Sequence, residues 1–195
     1  MYEVCLHGRG GQGAVVAASI LAEALVEEGK FVVAVPSFGF ERRGAPVAAF
    51  LRCDSKPLRA MTNIYHPDCI ICIDPTVSRA VNIYAGMVPG GTLVQATSLT
   101  LAELELPPTV GRAGLCDAVG IARAVFQRPI TNTVMLAAFA RTTGMVSLEA
   151  LQHALLSAEF RDAGLEQNRL AMARGYAETT VHELAQEVSH ATAIA

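Results

Sequence analysis

The sequence predicts an α/β fold: a Rossmann-like, mostly parallel sheet with flanking helices and a helical C-terminal third. A short apolar segment at the start leads into the glycine-rich turn 8–13, and a helical pattern follows that turn. Short apolar segments bounded by Pro and Gly recur through the first half, as is typical of strands. Helical patterns dominate after Pro107 and Pro108. With 195 residues and no internal repeat or long linker, we expect a single domain over 1–195.

The first half of the chain contains the predicted strands. Segment 1–6 is predicted as a buried strand, and segment 14–25 as a helix that ends near Gly29. The unbroken apolar segment 31–35 predicts a second strand, fully buried in a parallel sheet because it shows no alternation. Pro36 is expected to end that strand. The same reasoning predicts the remaining strands, at 47–53, 69–73 and 92–95.

The C-terminal third is predicted to be helical. Pro129 separates the first of its helices from segment 131–143, which is apolar nearly all round and therefore predicts a buried helix. Gly144 is expected to end that helix, and Ser147 can cap the next one. The predicted helices are 117–126, 131–143, 148–156 and 165–187.

Composition excludes several classes of function. A formal net charge of −3 without a basic stripe argues against a nucleic-acid-binding protein. No apolar run reaches the roughly 18 residues of a membrane span, and no signal peptide precedes the first strand. The hydrophobic fraction of 52% is high, so a partner is expected to cover part of the apolar surface. Five cysteines, an odd number in mostly apolar segments, predict reduced thiols and a cytoplasmic location.

The glycine-rich turn is the first candidate binding site. Backbone N–H groups and the helix dipole behind such a turn favour an anion, and its small residues let a phosphate approach closely. The spacing matches the dinucleotide fingerprint, but the acid expected after the second strand to bind the ribose is absent, since Val35–Ser37 stand there. NAD would therefore lack its usual anchor; a tight turn that only packs strand against helix is the structural alternative. The candidate residues are Gly8, Arg9, Gly10, Gly11, Gln12 and Gly13.

A second candidate is the loop bracketed by Pro36 and Pro46. Arg42 and Arg43 can hold a phosphate or carboxylate through paired hydrogen bonds. Phenylalanines in a polar loop are unfavourable in water, so they are expected to meet a ligand or a neighbouring chain. The alternative is a solvated Glu–Arg pair, with the phenylalanines packed on the domain's own core. The candidate residues are Ser37, Phe38, Gly39, Glu41, Arg42 and Arg43.

The remaining reactive side chains do not form a catalytic group. Cys69 and Cys72 have the spacing of a metal or redox pair, but residues three apart on a strand point to opposite faces, so they are predicted to be core thiols. His7 is predicted to be structural. No Ser-His-Asp set, paired carboxylates or four-cysteine cluster motif stands out, so we expect no catalytic residue and no metal site in this chain.

Two long motifs carry a resemblance to a known family. Residues 7–13 and 36–47, with 52–59, 68–75, 132–136 and 144–149, resemble the gamma subunit of the 2-oxoacid:acceptor oxidoreductases, such as pyruvate:ferredoxin oxidoreductase. The resemblance implies a complex that converts a 2-oxoacid and coenzyme A to acyl-CoA, CO2 and reduced acceptor. It also implies thiamine diphosphate, Mg2+ and [4Fe–4S] clusters on partner subunits of the alpha, beta and delta types, with ferredoxin or another carrier accepting the electrons.

Coenzyme A offers a pyrophosphate and a 3′-phosphate, and this chain offers a glycine turn and two arginines. We hypothesise that one or both loops bind coenzyme A or form the contact between the gamma and alpha subunits. The other class of function that we consider is an autonomous nucleotide-binding dehydrogenase of the NAD type, or a regulatory domain. The oxoacid and the electron acceptor cannot be predicted from these residues.

Overall fold

The protein is described by a computed structural model over residues 1–37, 44–157 and 164–184. In these ranges the strands form one mixed sheet in the order β2-β3-β1-β4-β5-β6-β7. The strands are β1 Tyr2–Arg9, β2 Phe31–Ser37, β3 Pro46–Asp54, β4 Cys69–Cys72, β5 Gly91–Ala96, β6 Val110–Cys116 and β7 Thr180–Glu183. The α-helices are α1 Ala14–Glu27, α2 Ala118–Phe126, α3 Asn132–Thr143, α4 Leu148–Ala154 and α5 Leu165–Glu178.

The centre of the sheet is parallel and its two margins are antiparallel. Strands β1, β4, β5 and β6 pair in parallel, in that order. Strand β3 pairs antiparallel with both β1 and β2, and β7 pairs antiparallel with β6. The α/β class is therefore confirmed, with its parallel pairing confined to the four central strands.

The hydrophobic core lies mainly on one face of the sheet, where every α-helix contributes buried side chains. Helix α3 is at its centre: Phe139 is 1% exposed and Leu136 is fully buried. A smaller cluster on the opposite face joins Ile70 and Leu93 to Val77 and Ile83, which belong to the segment that follows β4. Two layers of apolar side chains thus enclose the central strands, as a parallel sheet requires.

The helix ends follow the local signals of the sequence. The Asp117 carboxylate accepts a hydrogen bond from the Gly120 N–H at the start of α2, and Ser147 Oγ accepts one from the Ala150 N–H at the start of α4. Gly29 and Gly144 adopt positive φ angles of 79° and 64° just after α1 and α3. The predicted ends of these helices are therefore confirmed. They could be predicted because each depends on the chemistry of only one or two residues.

The expected position of the second strand is wrong. Strand β2 lies at the edge of the sheet, runs antiparallel to β3, and leaves Phe31 46% exposed. It also continues through Pro36 to Ser37 instead of ending before the proline. An edge strand has a hydrogen-bonding partner on one side only, so it tolerates a residue without an N–H. An apolar run without alternation does not distinguish such a strand from a buried one.

Two further strands were not expected. Strand β6 is rich in glycine and contains Arg112, and β7 occupies part of segment 165–187, for which one continuous helix was predicted. Helix α5 ends at Glu178 instead. Strand β6 lies beneath α3, where a Cβ on Gly114 would overlap Thr142. The glycine that weakens the strand pattern is thus required by the packing of the helix on the sheet.

We predict that Gly114→Ala destabilises the protein by about 1–3 kcal/mol, because the added methyl group meets the buried side chain of Thr142. Urea denaturation of the purified chain measures this loss. Thr142→Ala in the same chain removes the nearest atoms, so the double variant should lose less than the sum of the two single changes. Additive effects would contradict the proposed close contact between β6 and α3.

Candidate functional site: the end of strands β1 and β4

The glycine-rich turn lies at the point where the chain changes direction across the sheet. From β1 the chain passes to β2 and β3 on one side, and it then returns to β4 on the other side of β1. In α/β sheets the crevice at the carboxyl ends of two such strands is the usual place for a ligand. Strand β1 extends to Arg9, beyond the predicted end at residue 6, so Gly8 and Arg9 belong to the strand and residues 10–13 form the turn.

A hydrogen-bonded network around Asp74 joins the end of β4 to this turn. Its carboxylate accepts hydrogen bonds from Thr76 N (2.8 Å), Thr76 Oγ1 (2.7 Å) and the side-chain amide of Gln12. The Arg9 guanidinium donates to Thr76 Oγ1 (2.8 Å) and to the Thr76 carbonyl (2.9 Å), and its Nε lies 3.7 Å from Asp74. Gln12 Oε1 in turn accepts from the Arg9 N–H (2.8 Å). The side chains of Arg9 and Gln12 are therefore occupied by hydrogen bonds to other residues of the protein.

Hydrogen bonds hold the second candidate loop against the first. The Gly10 N–H donates to the Ala45 carbonyl (2.8 Å), and the Gly44 N–H donates to the Gly10 carbonyl (3.1 Å). Arg9 Nη1 also donates to the Gly44 carbonyl (2.9 Å). The two loops, which are separate candidates in the sequence, are thus joined by hydrogen bonds where residues 9–10 meet residues 44–45. Ser37 is the last residue of β2, and the other candidates, Phe38, Gly39, Glu41, Arg42 and Arg43, lie outside the described residues.

The other side of the turn opens toward the first residues of two helices. Gly13 precedes α1 with φ of 77°, and neither a side-chain cap nor an acidic residue occupies the first turn of that helix. A Cβ on Gly13 would lie 2.6 Å from Nδ2 of Asn132, the first residue of α3. Val15 and Val16 are 36% and 39% exposed beside the turn. This side therefore combines backbone N–H groups, an amide and a small apolar surface.

The titratable groups at the site are held in fixed protonation states. Burial acts to raise the pKa of Asp74, but hydrogen bonds from Gln12 and Thr76 and the charge of Arg9 outweigh it, so that pKa lies below its ordinary value. Burial lowers the pKa of His7 to about 4, and His7 Nε2 lies 3.2 Å from Cys5 Sγ. A carboxylate that remains ionised and an imidazole that remains neutral are suited to a structural role at neutral pH.

The five cysteines are all reduced and buried. Cys69 faces the larger core and Cys72 the smaller one, which confirms that this pair points to opposite faces of β4. Burial raises the pKa of Cys72 to about 12. Across residues 1–37, 44–157 and 164–184, His, Cys, Asp and Glu side chains form no group that could hold a metal ion.

Three residues of the site were not among the predicted candidates. Asp74 and Thr76 follow β4, the strand beside β1, and Asn132 begins a helix more than a hundred residues after the turn. An acid directly after a buried parallel strand is a signal that could have placed Asp74 at this edge, because carboxyl ends of parallel strands meet there. The role of Asn132 depends on how α3 packs, which no local pattern reveals.

The position of β2 removes the support for an NAD site of the usual kind. In the dinucleotide fold the strand after the glycine turn lies beside the first strand and brings its terminal acid to the ribose. Here β3 lies between β1 and β2, and β2 is antiparallel to β3. The end of β2 therefore does not occupy the position from which an acid would contact the ribose of a nucleotide at the turn.

The fold and the site together define an α/β protein with a glycine-rich turn at the switch point of its sheet and, in its described residues, no group of side chains that could hold a metal ion. Residues 3–178 match the family model for pyruvate ferredoxin/flavodoxin oxidoreductase. The chain belongs to that family, and it is the gamma subunit of a 2-oxoacid oxidoreductase complex.

Three relatives support this assignment. The gamma subunit of NADH-dependent phenylglyoxylate dehydrogenase from Aromatoleum evansii is 62% identical over 94% of this chain and 97% of its own length. The common gamma subunit of the pyruvate and ketoisovalerate oxidoreductases from Thermococcus kodakarensis is 46% identical over 94% of this chain and its entire length. The crystal structure of the PORC subunit of pyruvate oxidoreductase from Thermotoga maritima matches with a TM-score of 0.77 and 35% identity, covering 93% of this chain and 98% of that one.

We predict that the Asp74 network makes the stability of the protein depend on pH. The pKa of Asp74 is lower in the folded chain than in the unfolded chain. Its contribution to the free energy of unfolding is therefore complete above about pH 4, and it is lost as the pH falls through the pKa of the folded state. Between about pH 5 and pH 3, the free energy of unfolding of the wild type should therefore fall more steeply than that of Asp74→Asn. Urea denaturation across this range measures both slopes, and parallel curves would contradict the prediction.

Proposed function

We propose that the complex containing this gamma subunit oxidises an aromatic 2-oxoacid of the phenylglyoxylate type and transfers the acyl group to coenzyme A. The supporting observation is the 62% identity to the gamma subunit of phenylglyoxylate dehydrogenase, against 46% for the common subunit of the pyruvate and ketoisovalerate enzymes. Because that common subunit serves two oxoacids, as its name states, the substrate pocket of such a complex lies largely on other chains. The sequence of the gamma subunit therefore indicates the substrate through its similarity to the gamma subunit of one type of complex.

In this proposal the redox chemistry takes place on subunits of the alpha, beta and delta types. Those subunits would hold thiamine diphosphate with Mg2+ and [4Fe–4S] clusters, which would supply the decarboxylation chemistry and the transfer of electrons to ferredoxin or another acceptor. Cys69 and Cys72 point to opposite faces of β4, and burial raises the pKa of all five cysteines, which fits a subunit that holds no cluster. Reduced thiols also suit a complex that works in the cytoplasm.

The part assigned to the gamma subunit is the binding of coenzyme A beside the catalytic centre. The proposed residues are Gly8, Arg9, Gly10, Gly11, Gln12, Gly13, Ser37, Phe38, Gly39, Glu41, Arg42 and Arg43. Within this set the geometry suggests a division of roles. Arg9 and Gln12 position the two loops, because their side chains bond to Thr76, Gly44 and Asp74. Within the turn, the Gly10 and Gln12 N–H groups donate to the Ala45 and Arg9 carbonyls, so the N–H groups of Gly11, Gly13 and the first residues of α1 are the ones proposed to bind a phosphate. Arg42 and Arg43 supply the positive charge.

We predict that the purified complex oxidises phenylglyoxylate with a higher kcat/KM than pyruvate, by about tenfold or more. Reduction of a viologen dye under anaerobic conditions, in the presence of coenzyme A, measures the rate without the natural electron acceptor. A panel that includes pyruvate, 2-oxoglutarate and a branched-chain oxoacid serves as the comparison. A preference for pyruvate would show that the aromatic assignment is wrong.

We predict that the double variant Arg42→Ala and Arg43→Ala raises the KM for coenzyme A by about tenfold or more, since it removes two charge-assisted contacts to phosphate. The KM for the oxoacid should stay unchanged, and the complex should stay intact by size-exclusion chromatography. The control is Arg123→Ala, a loss of positive charge at an exposed position. Loss of the gamma subunit from the complex would instead assign these arginines to the subunit interface.

A further inference from the structure

The connection between β3 and β4 exposes two large apolar side chains. It forms neither helix nor strand, and a connection of this length without regular structure is uncommon in a compact domain unless it has a function. Met61 is 76% exposed and Tyr65 is 70% exposed, the highest values among the exposed large apolar residues of the described chain. Methionine and tyrosine are enriched where proteins bind one another. The connection therefore presents the side chains of a protein-binding surface.

A buried arginine fixes the backbone next to Met61. Arg52 is 4% exposed, and its guanidinium donates hydrogen bonds to the carbonyl oxygens of Thr62 and Asn63. Its Nε lies 2.6 Å from the Glu3 carboxylate. Burial of two charges is unfavourable unless good contacts compensate for the lost water, as the two carbonyl groups and the ion pair do here. The protein thus uses a desolvated ion pair to hold a segment whose apolar side chain lies in water.

Close packing fixes the backbone next to Tyr65. Ile64 is buried, and a Cβ on Gly86 would lie only 1.9 Å from the Tyr65 carbonyl oxygen. The His66 Nδ1 atom is 3.3 Å from the Gly86 carbonyl oxygen. The two exposed side chains are therefore carried by a backbone that is ordered before any partner arrives. Such ordering lowers the entropy that is lost on binding.

The same segment is positively charged. Residues 55–66, which we call the 55–66 surface, include Lys56 and Arg59 and no carboxylate, although the whole chain has a formal net charge of −3. The flanking acids bond to other groups: Asp54 pairs with the N-terminal ammonium group (2.7 Å), and Asp68 accepts a hydrogen bond from the Glu3 N–H (2.7 Å). Among the residues that the structure describes, no carboxylate pairs with either cation. A complementary partner therefore carries carboxylates.

The 55–66 surface and the glycine turn lie at opposite ends of the sheet. The Asp68 N–H donates to the Glu3 carbonyl (2.9 Å) near the start of β1, whereas the turn follows Arg9 at the end of that strand. The eight residues of β1 separate the two ends by roughly 25 Å. A protein bound to the 55–66 surface consequently leaves the glycine turn accessible.

We propose that this gamma subunit docks through the 55–66 surface on another subunit of its complex, whose own surface is apolar at the centre and bears carboxylates at the rim. Met61 and Tyr65 are the central anchors, which carry most of the binding energy, while Lys56 and Arg59 steer association from the rim. A second copy of this chain fits less well, since it brings like charges together. The proposal depends on membership in a multi-subunit complex and not on the binding of coenzyme A.

The decisive variant is Met61→Gln with Tyr65→Gln in the intact complex. Dilution of the complex, followed by size-exclusion chromatography, measures the concentration at which half of it has lost the gamma subunit. That concentration should rise at least about thirtyfold, as for the loss of an interface anchor. Because both side chains are exposed in the chain itself, its urea denaturation midpoint should stay unchanged. The matched control is Leu156→Gln with Leu170→Gln, at two other exposed apolar positions. Unchanged retention of the Met61 and Tyr65 variant overturns the proposal.

Oxidative footprinting tests the same contact without any substitution. Hydroxyl radicals oxidise exposed Met61 and Tyr65 side chains, and mass spectrometry measures the rate at each residue. Both residues should react at least about fivefold more slowly in the complex than in the isolated gamma chain, because the centre of an interface excludes water. A reporter peptide added to both samples normalises the radical dose. Equal rates in the complex and in the isolated chain overturn the proposal.

Charge reversal tests the chemistry of the partner. Lys56→Glu with Arg59→Glu should weaken retention of the gamma subunit, and more so at low ionic strength, because salt screens the new repulsion. Arg123→Glu is the control at an exposed position elsewhere. If the reversal leaves retention unchanged or strengthens it, the partner surface is not acidic and the proposal is wrong. A dimer of the isolated chain that Met61→Gln with Tyr65→Gln converts to a monomer would assign the surface to self-association, which also overturns it.

Discussion

The Asp74 carboxylate is the group on which the geometry of the site depends. It lies where β4 ends, and its hydrogen bonds reach both the turn after β1 and the segment that follows β4. Through Arg9 the same network extends to Gly44, at the base of the second loop. The glycine turn is thus built around an anion that the protein itself supplies.

Much of the fold was predictable because its signals are local. The strand–turn–helix unit at the N-terminus and the ends of α2, α3 and α4 depend on caps, glycines and apolar periodicity within a few residues. The errors concern features decided by distant parts of the chain. Whether segment 31–35 is a central or an edge strand depends on β3, which is inserted between it and β1. Whether Gly114 weakens a strand depends on Thr142 packed above it.

The candidate site was predictable only in part for the same reason. The glycine pattern and the phenylalanine–arginine loop can be recognised from composition alone. Nothing in either motif shows that Gly10 forms hydrogen bonds with Ala45 and Gly44. Arg9 has the chemistry of a phosphate ligand in the sequence, yet the structure shows it bonded to Thr76 and Gly44. A residue type specifies what a side chain can bind. Its neighbours in the fold determine whether the side chain is available.

The thiols of this chain are kept unreactive by burial. The thiolate, not the thiol, is the nucleophile and the metal ligand. Cys72 lies two residues before Asp74 on β4, and burial raises its pKa, like that of Cys5, to about 12. The Cys72 thiol donates a hydrogen bond to the Asp74 carbonyl oxygen, with Sγ 3.2 Å from that oxygen. A cysteine close to the site is thereby kept protonated and enclosed, and it has the character of a core residue although its neighbours bind one another through polar groups.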